Sequence, residues 1–395
     1  MSFIGRIVEA RIITPEGIIP NGFITWKDGI ITEIGDDASH ATATECHCQY
    51  NARGSYVAPG CIDMHVHGAA GHDFMEATPQ AFDAIRHAHA LHGTTSLLAT
   101  LAVSSPDVIS SCIEIADHNL SQGSGAHMLG LHLEGNYINP IMKGAQNPTY
   151  ITLPQAEEYK ALLSRTRCIR RWSAAPELPG ALDFARYVRR QGTLVSIAHT
   201  CADYAQICAA FEAGFTHATH FYNAMTTIHK EGIYKHEGTV ESILLTDGIS
   251  IELIADGKHV PPALLLLAYK LKGSSGTALV TDAMSAAACG ESAPVFDPRT
   301  VVEDGVCKMA DGSALAGSIA TADVLIRTMK QLSIPLPDVI RMASETPARI
   351  LGVDKHKGSL CPGKDADIIV FDENVDVSHV FISGKPFKLP QGEAV

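Results

Sequence analysis

The 395-residue sequence predicts an α/β protein: a (β/α)8 TIM-type barrel with a small β domain formed from both chain ends. Two patterns support this prediction. β-rich segments lie at both ends of the chain, and between them apolar strand-like runs alternate with helical stretches. The expected boundaries are residues 1–58 and 355–395 for the small domain and residues 59–354 for the barrel. A barrel of roughly 250 residues leaves enough chain for one modest extra domain.

The small domain is predicted from strand and turn signals near the two termini. Near the N-terminus, two β-rich runs flank Asp28 and Gly29, a dipeptide typical of a tight hairpin turn. Near the C-terminus, the runs A-D-I-I-V-F-D and V-S-H-V-F-I-S-G-K have the same character. Because the middle of the chain has a different pattern, we expect both ends to share one β domain.

Eight apolar runs in the middle of the chain are candidate barrel strands. Helical stretches separate most of them, and two of these stretches end at glycine, as helices often do. Continuous apolar strands that alternate with helices indicate a buried parallel sheet, and eight candidates fit a closed barrel better than an open sheet. The predicted strands are Cys61–Val66, Ser96–Leu101, His127–Leu133, Arg170–Ala174, Leu194–Ala198, His217–Phe221, Ile251–Ala255 and Ala278–Val280.

Composition and charge narrow the classes of function. Hydrophobic residues make up 46% of the chain and charged residues 18%, so a large core can be buried. The formal charge of −13 argues against general binding to nucleic acid or to an anionic membrane. The longest apolar run, at residues 263–268, is far shorter than the roughly 20 residues that span a bilayer. Since the ten cysteines include no C-x-x-C pair, we expect reduced thiols in a cytoplasmic protein.

Polar side chains collect where the predicted strands end. In a barrel, the carboxyl ends of the strands meet at the face where catalytic groups converge. His65 and His67 end the first strand two residues apart, so the period of two directs both side chains to the same face. The other candidates end the third, fifth, sixth and eighth strands and are Glu134, His199, His220 and Asp282.

Histidines and a carboxylate at one face indicate a site for a divalent metal. A lone strand-end histidine is more often a packing residue, but the joint appearance of these groups at the ends of different strands favours a metal site. A bound divalent metal lowers the pKa of a water molecule towards about 7, which yields hydroxide as a nucleophile near neutral pH. Asp282 is placed to act as general base and acid. The sequence therefore predicts hydrolysis of an amide or a related bond.

Seven motifs resemble those of the N-acetylglucosamine-6-phosphate deacetylases, a family of the amidohydrolase superfamily. They read P-G-C-I-D-M-H-V-H-G, L-H-L-E-G, K-G-A-Q-N-P, H-F-Y-N-A-M, A-D-G-K-H-V, L-V-T-D-A-M and L-A-G-S, and a tail beginning E-T-P-A-R-I-L-G follows. The resemblance runs in order from Val57 to Phe371. It implies a (β/α)8 barrel with a β-sandwich domain, usually a homodimer. The implied reaction converts N-acetylglucosamine 6-phosphate to glucosamine 6-phosphate and acetate.

The resemblance also implies roles for the candidate ligands. Three of them would hold the main metal: Glu134, His199 and His220. The H-x-H pair formed by His65 and His67 can hold a second ion in those members of the family that keep it. Zinc suits this donor set first, with iron, cobalt or manganese as alternatives, and one or two ions per subunit are expected. Asp282 would be the general base and acid.

Substrate contacts follow from the same resemblance, with two departures. Asn223 and Ala224 would contact the phosphate or the sugar, and His259 a sugar hydroxyl or the reacting carbonyl. Gln146 stands where the family has a substrate-binding histidine, and glutamine can donate a hydrogen bond but cannot carry charge. Many relatives bind phosphate across the dimer interface with an arginine that the segment T-T-I-H-K-E-G-I-Y-K-H-E-G lacks. The candidate replacements in that segment are His229, Lys230, Lys235 and His236.

Three alternatives remain open. The two departures allow the same reaction on an epimer such as N-acetylgalactosamine 6-phosphate. A cyclic-amide hydrolase would bridge two metals with a modified lysine on the fourth strand, but the segment R-R-W-S-A-A-P-E-L contains no lysine. A non-catalytic scaffold on the same fold would typically have lost ligands, whereas this chain keeps each candidate.

Overall fold

The structure of the protein is a computed structural model and describes residues 3–36, 46–119, 124–289 and 294–388. The first part of the chain forms the strands β1 (Ile4–Thr14), β2 (Gly17–Lys27), β3 (Ile30–Gly35), β4 (Cys48–Asn51) and β5 (Tyr56–Pro59). The middle continues with β6 (Cys61–Val66), β7 (Gly68–Ala69), β8 (His72–Asp73), α1 (Pro79–Leu91), β9 (Thr94–Leu101), α2 (Pro106–Asn119), β10 (His127–Glu134), α3 (Ala156–Arg165), β11 (Ile169–Ala174), α4 (Ala181–Arg190), β12 (Leu194–Ile197), α5 (Tyr204–Ala213), β13 (Phe215–Ala218), β14 (His229–Glu231), β15 (Tyr234–His236), α6 (Thr239–Leu245), β16 (Ser250–Ile254), α7 (Pro262–Gly276) and β17 (Thr277–Val280). The last part contains β18 (Thr300–Glu303), β19 (Val306–Met309), β20 (Leu315–Ser318), α8 (Ala322–Gln331), α9 (Leu336–Ala343), α10 (Glu345–Ile350), β21 (Ile368–Phe371), β22 (Val377–Ile382) and β23 (Lys385–Lys388).

Eight parallel strands form the predicted barrel, in the order β6, β9, β10, β11, β12, β13, β16 and β17. Each lies within three residues of the bounds expected from its apolar run. Main-chain hydrogen bonds join the first strand to the last: the His67 amide donates to Ala283 and the Asp282 amide donates to His65, both at 2.9 Å. These hydrogen bonds place the H-x-H segment next to Asp282, the predicted acid–base residue.

The two predicted helices that end at glycine are present. Asp203 precedes α5, and its carboxylate accepts from the Gln206 amide while the Gln206 side chain accepts from the Asp203 amide. The same helix ends at Gly214, whose φ of 112° suits a residue without a Cβ. These caps fix where each helix returns the chain to the barrel, and so they fix where the next strand begins.

Both ends of the chain contribute to one separate sheet, as predicted. Its strands lie in the order β23, β22, β21, β5, β1, β2 and β3, with β4 paired to β1. The predicted hairpin joins β2 to β3, and φ is positive at both Asp28 (49°) and Gly29 (84°), as this type of turn requires. A buried apolar core of its own holds the sheet together, and Trp26 in that core donates from Nε1 to the Gly384 carbonyl at 2.9 Å.

Two further features of the described residues concern membrane-spanning helices and disulfide bonds. None of the helices in the described ranges is long and apolar enough to cross a membrane. All ten cysteines lie in those ranges, and none of them forms a disulfide.

Replacement of Trp26 tests whether the two chain ends share one core. Trp26 is fully buried and packs on Phe381, with ring centroids 5.2 Å apart. Trp26→Ala should lower the free energy of unfolding by about 3–5 kcal/mol, as expected for a large aromatic side chain removed from a core. Urea denaturation measures the change. Lys27→Ala, at the exposed neighbouring position, should change it by less than about 0.5 kcal/mol, and equal effects of the two variants would contradict this packing.

Candidate active site

Four histidine rings and one carboxylate meet at the carboxyl end of the barrel strands. One oxygen of Glu134, Oε1, lies 3.2 Å from Nε2 of His199 and 2.9 Å from Nε2 of His220. The other oxygen, Oε2, lies 3.2 Å from Nε2 of His67 and 3.6 Å from Nε2 of His65. The sequence placed these five residues at strand ends, and the structure brings all five together.

The five residues form two groups that share Glu134. One group joins it to His65 and His67, the other to His199 and His220, and the ligand atoms of each group lie within 4.8 Å of one another. All five side chains are buried. Buried imidazoles and a carboxylate at this spacing can hold a divalent metal, and the carboxylate is placed to bridge two ions.

The outer nitrogens of two rings orient their inner nitrogens. Nδ1 of His199 lies 2.7 Å from the Met142 carbonyl, and Nδ1 of His65 lies 2.8 Å from a carboxylate oxygen of Glu252. Both partners only accept hydrogen bonds, so each Nδ1 carries the proton. Each Nε2 therefore faces Glu134, and a ring that gives up its Nε2 proton presents the lone pair that a metal ligand requires.

The carboxylates of the cluster are held in their charged form. Burial alone would raise the pKa of Glu134, but His65, His199 and His220 hold it well below its usual value. Burial likewise opposes ionisation of Asp282, whose Oδ1 lies 3.4 Å and 3.3 Å from Nε2 of His65 and His67. Those two rings keep the pKa of Asp282 below its usual value. An ionised Asp282 facing the cluster is suited to accept a proton.

The backbone is strained where the site residues leave their strands. φ is positive at His199 (46°), His220 (30°), Ala224 (51°) and Asp282 (48°), a region that side chains with a Cβ rarely adopt. Such strain costs on the order of 1–3 kcal/mol at each residue and tends to persist at functional sites. The strain turns these residues out of their strands and towards one point.

A buried ion pair lies beneath the cluster. Glu252 on β16 accepts from Nη1 of Arg171 on β11 at 2.7 Å, and both side chains are fully buried. The same carboxylate accepts from the His220 amide at 2.8 Å and from the ring of His65. Glu252 thus contacts both metal-binding groups, and the Arg171 guanidinium helps to hold its pKa well below the usual value against the effect of burial.

The sequence of the fourth barrel strand argues against a cyclic-amide hydrolase. The fourth barrel strand, β11, contains arginine and no lysine, so it cannot supply the modified lysine of a cyclic-amide hydrolase. The carboxylate that the two candidate metal-binding groups share is Glu134, from the third strand β10.

A cavity of about 720 Å³ opens over the cluster. This volume suits a small organic substrate. Four of the residues expected to touch substrate line it: Gln146, Asn223, Ala224 and His259. Gln146 donates to Glu134 Oε2 at 2.9 Å, and Nδ1 of His259 lies 2.7 Å from an oxygen of Asp256. His259 therefore keeps Nε2 for another partner.

The residues expected to replace the missing arginine lie elsewhere. His229, Lys230, Lys235 and His236 lie on the exposed hairpin of β14 and β15, whose register pairs Lys230 with Lys235. None of the four is among the described residues that line the cavity of their own chain.

Sequence reasoning missed three charged residues of this region: Arg171, Glu252 and Arg299. The first two interrupt apolar strands, which was the available signal that each needs a buried partner. The sequence could not show that these two are partners. Arg299 lines the cavity from the segment just before β18, and no strand pattern marks it.

A buried His/Glu cluster at the carboxyl end of a (β/α)8 barrel defines the class of metal-dependent hydrolases built on this fold. The model of the amidohydrolase family matches residues 56–387, and the chain belongs to that family.

Curated relatives match nearly the whole chain. The N-acetylgalactosamine-6-phosphate deacetylase of Escherichia coli O157:H7 is 34% identical, over 95% of this chain and 97% of that protein. The N-acetylglucosamine-6-phosphate deacetylase of Bacillus subtilis is 32% identical, over 94% of each. The crystal structure of N-acetylglucosamine-6-phosphate deacetylase from Pasteurella multocida superposes with a TM-score of 0.90 at 27% identity, covering 97% of this chain and 99% of that one.

Glu252→Gln tests the ion pair beneath the site. The variant leaves the Arg171 charge buried without a counter-charge, so the free energy of unfolding of chelator-treated protein should fall by about 3–5 kcal/mol. Denaturant titration measures the loss. The double variant Glu252→Gln with Arg171→Met should recover part of the lost free energy of unfolding. As a control, Glu373→Gln, which removes the charge of an exposed pair with Arg11, should lower the free energy of unfolding by less than about 1 kcal/mol. Wild-type stability of Glu252→Gln would contradict the pairing.

The number of protons released when a metal binds tests the raised pKa of His67. Burial opposes the charged form of His67, but Asp282 and Glu134 outweigh it and raise the pKa to about 9. In chelator-treated protein His67 is therefore protonated at pH 8, loses that proton as the pH rises through 9, and must lose it to bind a metal. Calorimetric zinc titration at pH 8 in two buffers of different ionisation enthalpy counts the protons. His67→Asn should release one fewer, and an unchanged count would contradict the raised pKa.

Proposed function

We propose that this protein hydrolyses the acetamide of N-acetylglucosamine 6-phosphate to give glucosamine 6-phosphate and acetate. The observation that carries the proposal is the position of Glu134 between two histidine pairs, with Asp282 facing the same point. This cluster opens into a cavity of about 720 Å³. Relatives that cover nearly the whole chain are named for this reaction or for the same reaction on the galacto epimer.

The residues present fit a divalent cation. His65 and His199 are held through Nδ1, so that each Nε2 faces Glu134 and can bind a cation once it has lost its proton, and the carboxylate is ionised. Glu134, His199 and His220 would hold the main ion, and the H-x-H pair a second. Such a cation lowers the pKa of a water molecule and polarises a carbonyl oxygen. Zinc suits the nitrogen-rich donor set best, with iron, cobalt and manganese as the other candidates.

Asp282 moves the proton in this mechanism. Its carboxylate takes a proton from the attacking water, whose oxygen joins the acetyl carbon. The bond between that carbon and the sugar nitrogen then breaks, and Asp282 returns the proton to the departing nitrogen. The amino sugar leaves with the proton from Asp282, and the acid leaves with the water oxygen and the second water hydrogen, which it loses at neutral pH to become acetate.

The remaining cavity residues orient the sugar. His259 keeps its Nε2 for the reacting carbonyl or a sugar hydroxyl, because Asp256 holds its other nitrogen. Asn223 and Ala224, beside His220, are proposed to contact the sugar or the phosphate. Gln146 is a neutral contact that also donates to Glu134.

The proposal extends to the assembly and its setting. A homodimer would bring Lys230 and Lys235 of one copy to the phosphate in the other. The ten unpaired cysteines support a cytoplasmic location. The barrel would comprise residues 59–354, and the small domain residues 1–58 with 355–395.

A comparison of three sugars tests the reaction and the substrate. Acetate release should be fast and metal-dependent with N-acetylglucosamine 6-phosphate, and much slower with the unphosphorylated sugar and with N-acetylgalactosamine 6-phosphate. Purified protein is assayed after chelation and again after each divalent metal is restored. A clear preference for the galacto epimer would overturn the substrate, and equal rates after chelation would overturn the metal-dependent mechanism.

Variants of the site should separate proton transfer from metal binding. Asp282→Asn should lower kcat at least about 100-fold, the range of general acid–base catalysis, while it keeps metal and substrate. Glu134→Ala and His199→Ala should lose bound metal as well as activity. Metal content by mass spectrometry and steady-state kinetics measure both effects. Near-normal turnover of Asp282→Asn would remove that residue from the mechanism.

A further inference from the structure

The cavity wall contains one strongly basic side chain. Among the described residues that line the cavity, Arg299 is the only lysine or arginine. Four carboxylates line the same cavity: Asp73, Glu134, Asp282 and Asp297. A phosphate dianion that enters this space meets an excess of negative charge, so it needs a fixed cation away from the metal-binding cluster.

The guanidinium of Arg299 is held from two sides. Its Nε donates to the Asp297 carboxylate at 3.1 Å, and its Nη2 donates to the same carboxylate at 2.5 Å and to the Ala145 carbonyl at 3.0 Å. Within the described residues these bonds use Nε and Nη2, which leaves the two N–H groups of Nη1 for a ligand. The side chain is 41% exposed. A guanidinium that is fixed before binding loses less entropy when its remaining N–H groups bind an anion.

The bond to Ala145 places Arg299 next to the reaction site. Gln146 follows Ala145 directly, and its side chain reaches the metal-binding carboxylate Glu134 at 2.9 Å. The guanidinium therefore contacts the chain one residue, about 3.8 Å, from a group that touches the cluster. Asp282 and Arg299 line the same cavity, so a substrate bound there is open to both side chains.

We propose that Arg299 binds the phosphate of the substrate within its own subunit and selects phosphorylated over unphosphorylated sugar. This inference rests on the proposed function, since it concerns the phosphate of that substrate. It is distinct from the hairpin lysines, because Lys230 and Lys235 lie outside the cavity of their own chain. Asp297 and Ala145 fix the direction of the remaining N–H groups of Arg299, whereas the ammonium of a lysine is a rotatable point charge.

The experiment compares kcat/KM for N-acetylglucosamine 6-phosphate and for N-acetylglucosamine in the metal-loaded protein. Arg299→Ala should lower the value for the phosphorylated sugar about 10- to 100-fold, mainly through KM, and leave the value for the unphosphorylated sugar unchanged. The value for Arg299→Lys should fall between the two, because lysine keeps the charge but loses the guanidinium that Asp297 and Ala145 hold in place. Arg186→Ala is the matched control: Arg186 also pairs with a nearby aspartate, Asp183, but lies on the exposed face of α4.

Three outcomes decide the inference. A loss confined to the phosphorylated sugar supports it. An equal loss on both sugars, or a loss of phosphate preference only in Lys230→Ala with Lys235→Ala, overturns it and leaves the proposed function intact. A wild-type protein that releases no acetate from any sugar phosphate overturns the proposed function itself, before any variant is compared.

Discussion

The buried pair of Glu252 and Arg171 is the interaction on which the rest of the site depends. Its carboxylate holds the ring of His65, from the first barrel strand, and the amide of His220, after the sixth. Two buried charges are costly unless they are paired and hydrogen-bonded, so this contact fixes the relative register of the strands that carry it. The geometry of both metal-binding groups follows from that register.

The strands and the loops contribute different residues to the site above the buried ion pair. The strands place Glu134 and the four histidines, and left-handed turns at the strand ends aim them at one point. Loops contribute other residues of the cavity wall, such as Gln146 and Arg299. This division is common where a scaffold supports many reactions through changes in its loops. The proposed chemistry therefore rests on residues at the strand ends, and the proposed selection of phosphate and epimer rests on the loops.

Much of this arrangement could be predicted from the sequence, because it depends on local patterns. Apolar runs revealed the eight strands, and the two-residue spacing placed His65 and His67 on one face. The partners of Arg171 and Glu252 could not be predicted, since each interrupts a strand without showing which distant charge it meets. Nor could the place of Arg299, because its segment folds onto the cavity only through tertiary contacts.

Anomalous diffraction from crystals of active, metal-loaded protein would locate the ion itself. We expect a metal peak within coordination distance of Glu134 Oε1, His199 and His220, with any second peak beside His65 and His67. Fully active crystals with no metal peak at Glu134 would contradict this expectation.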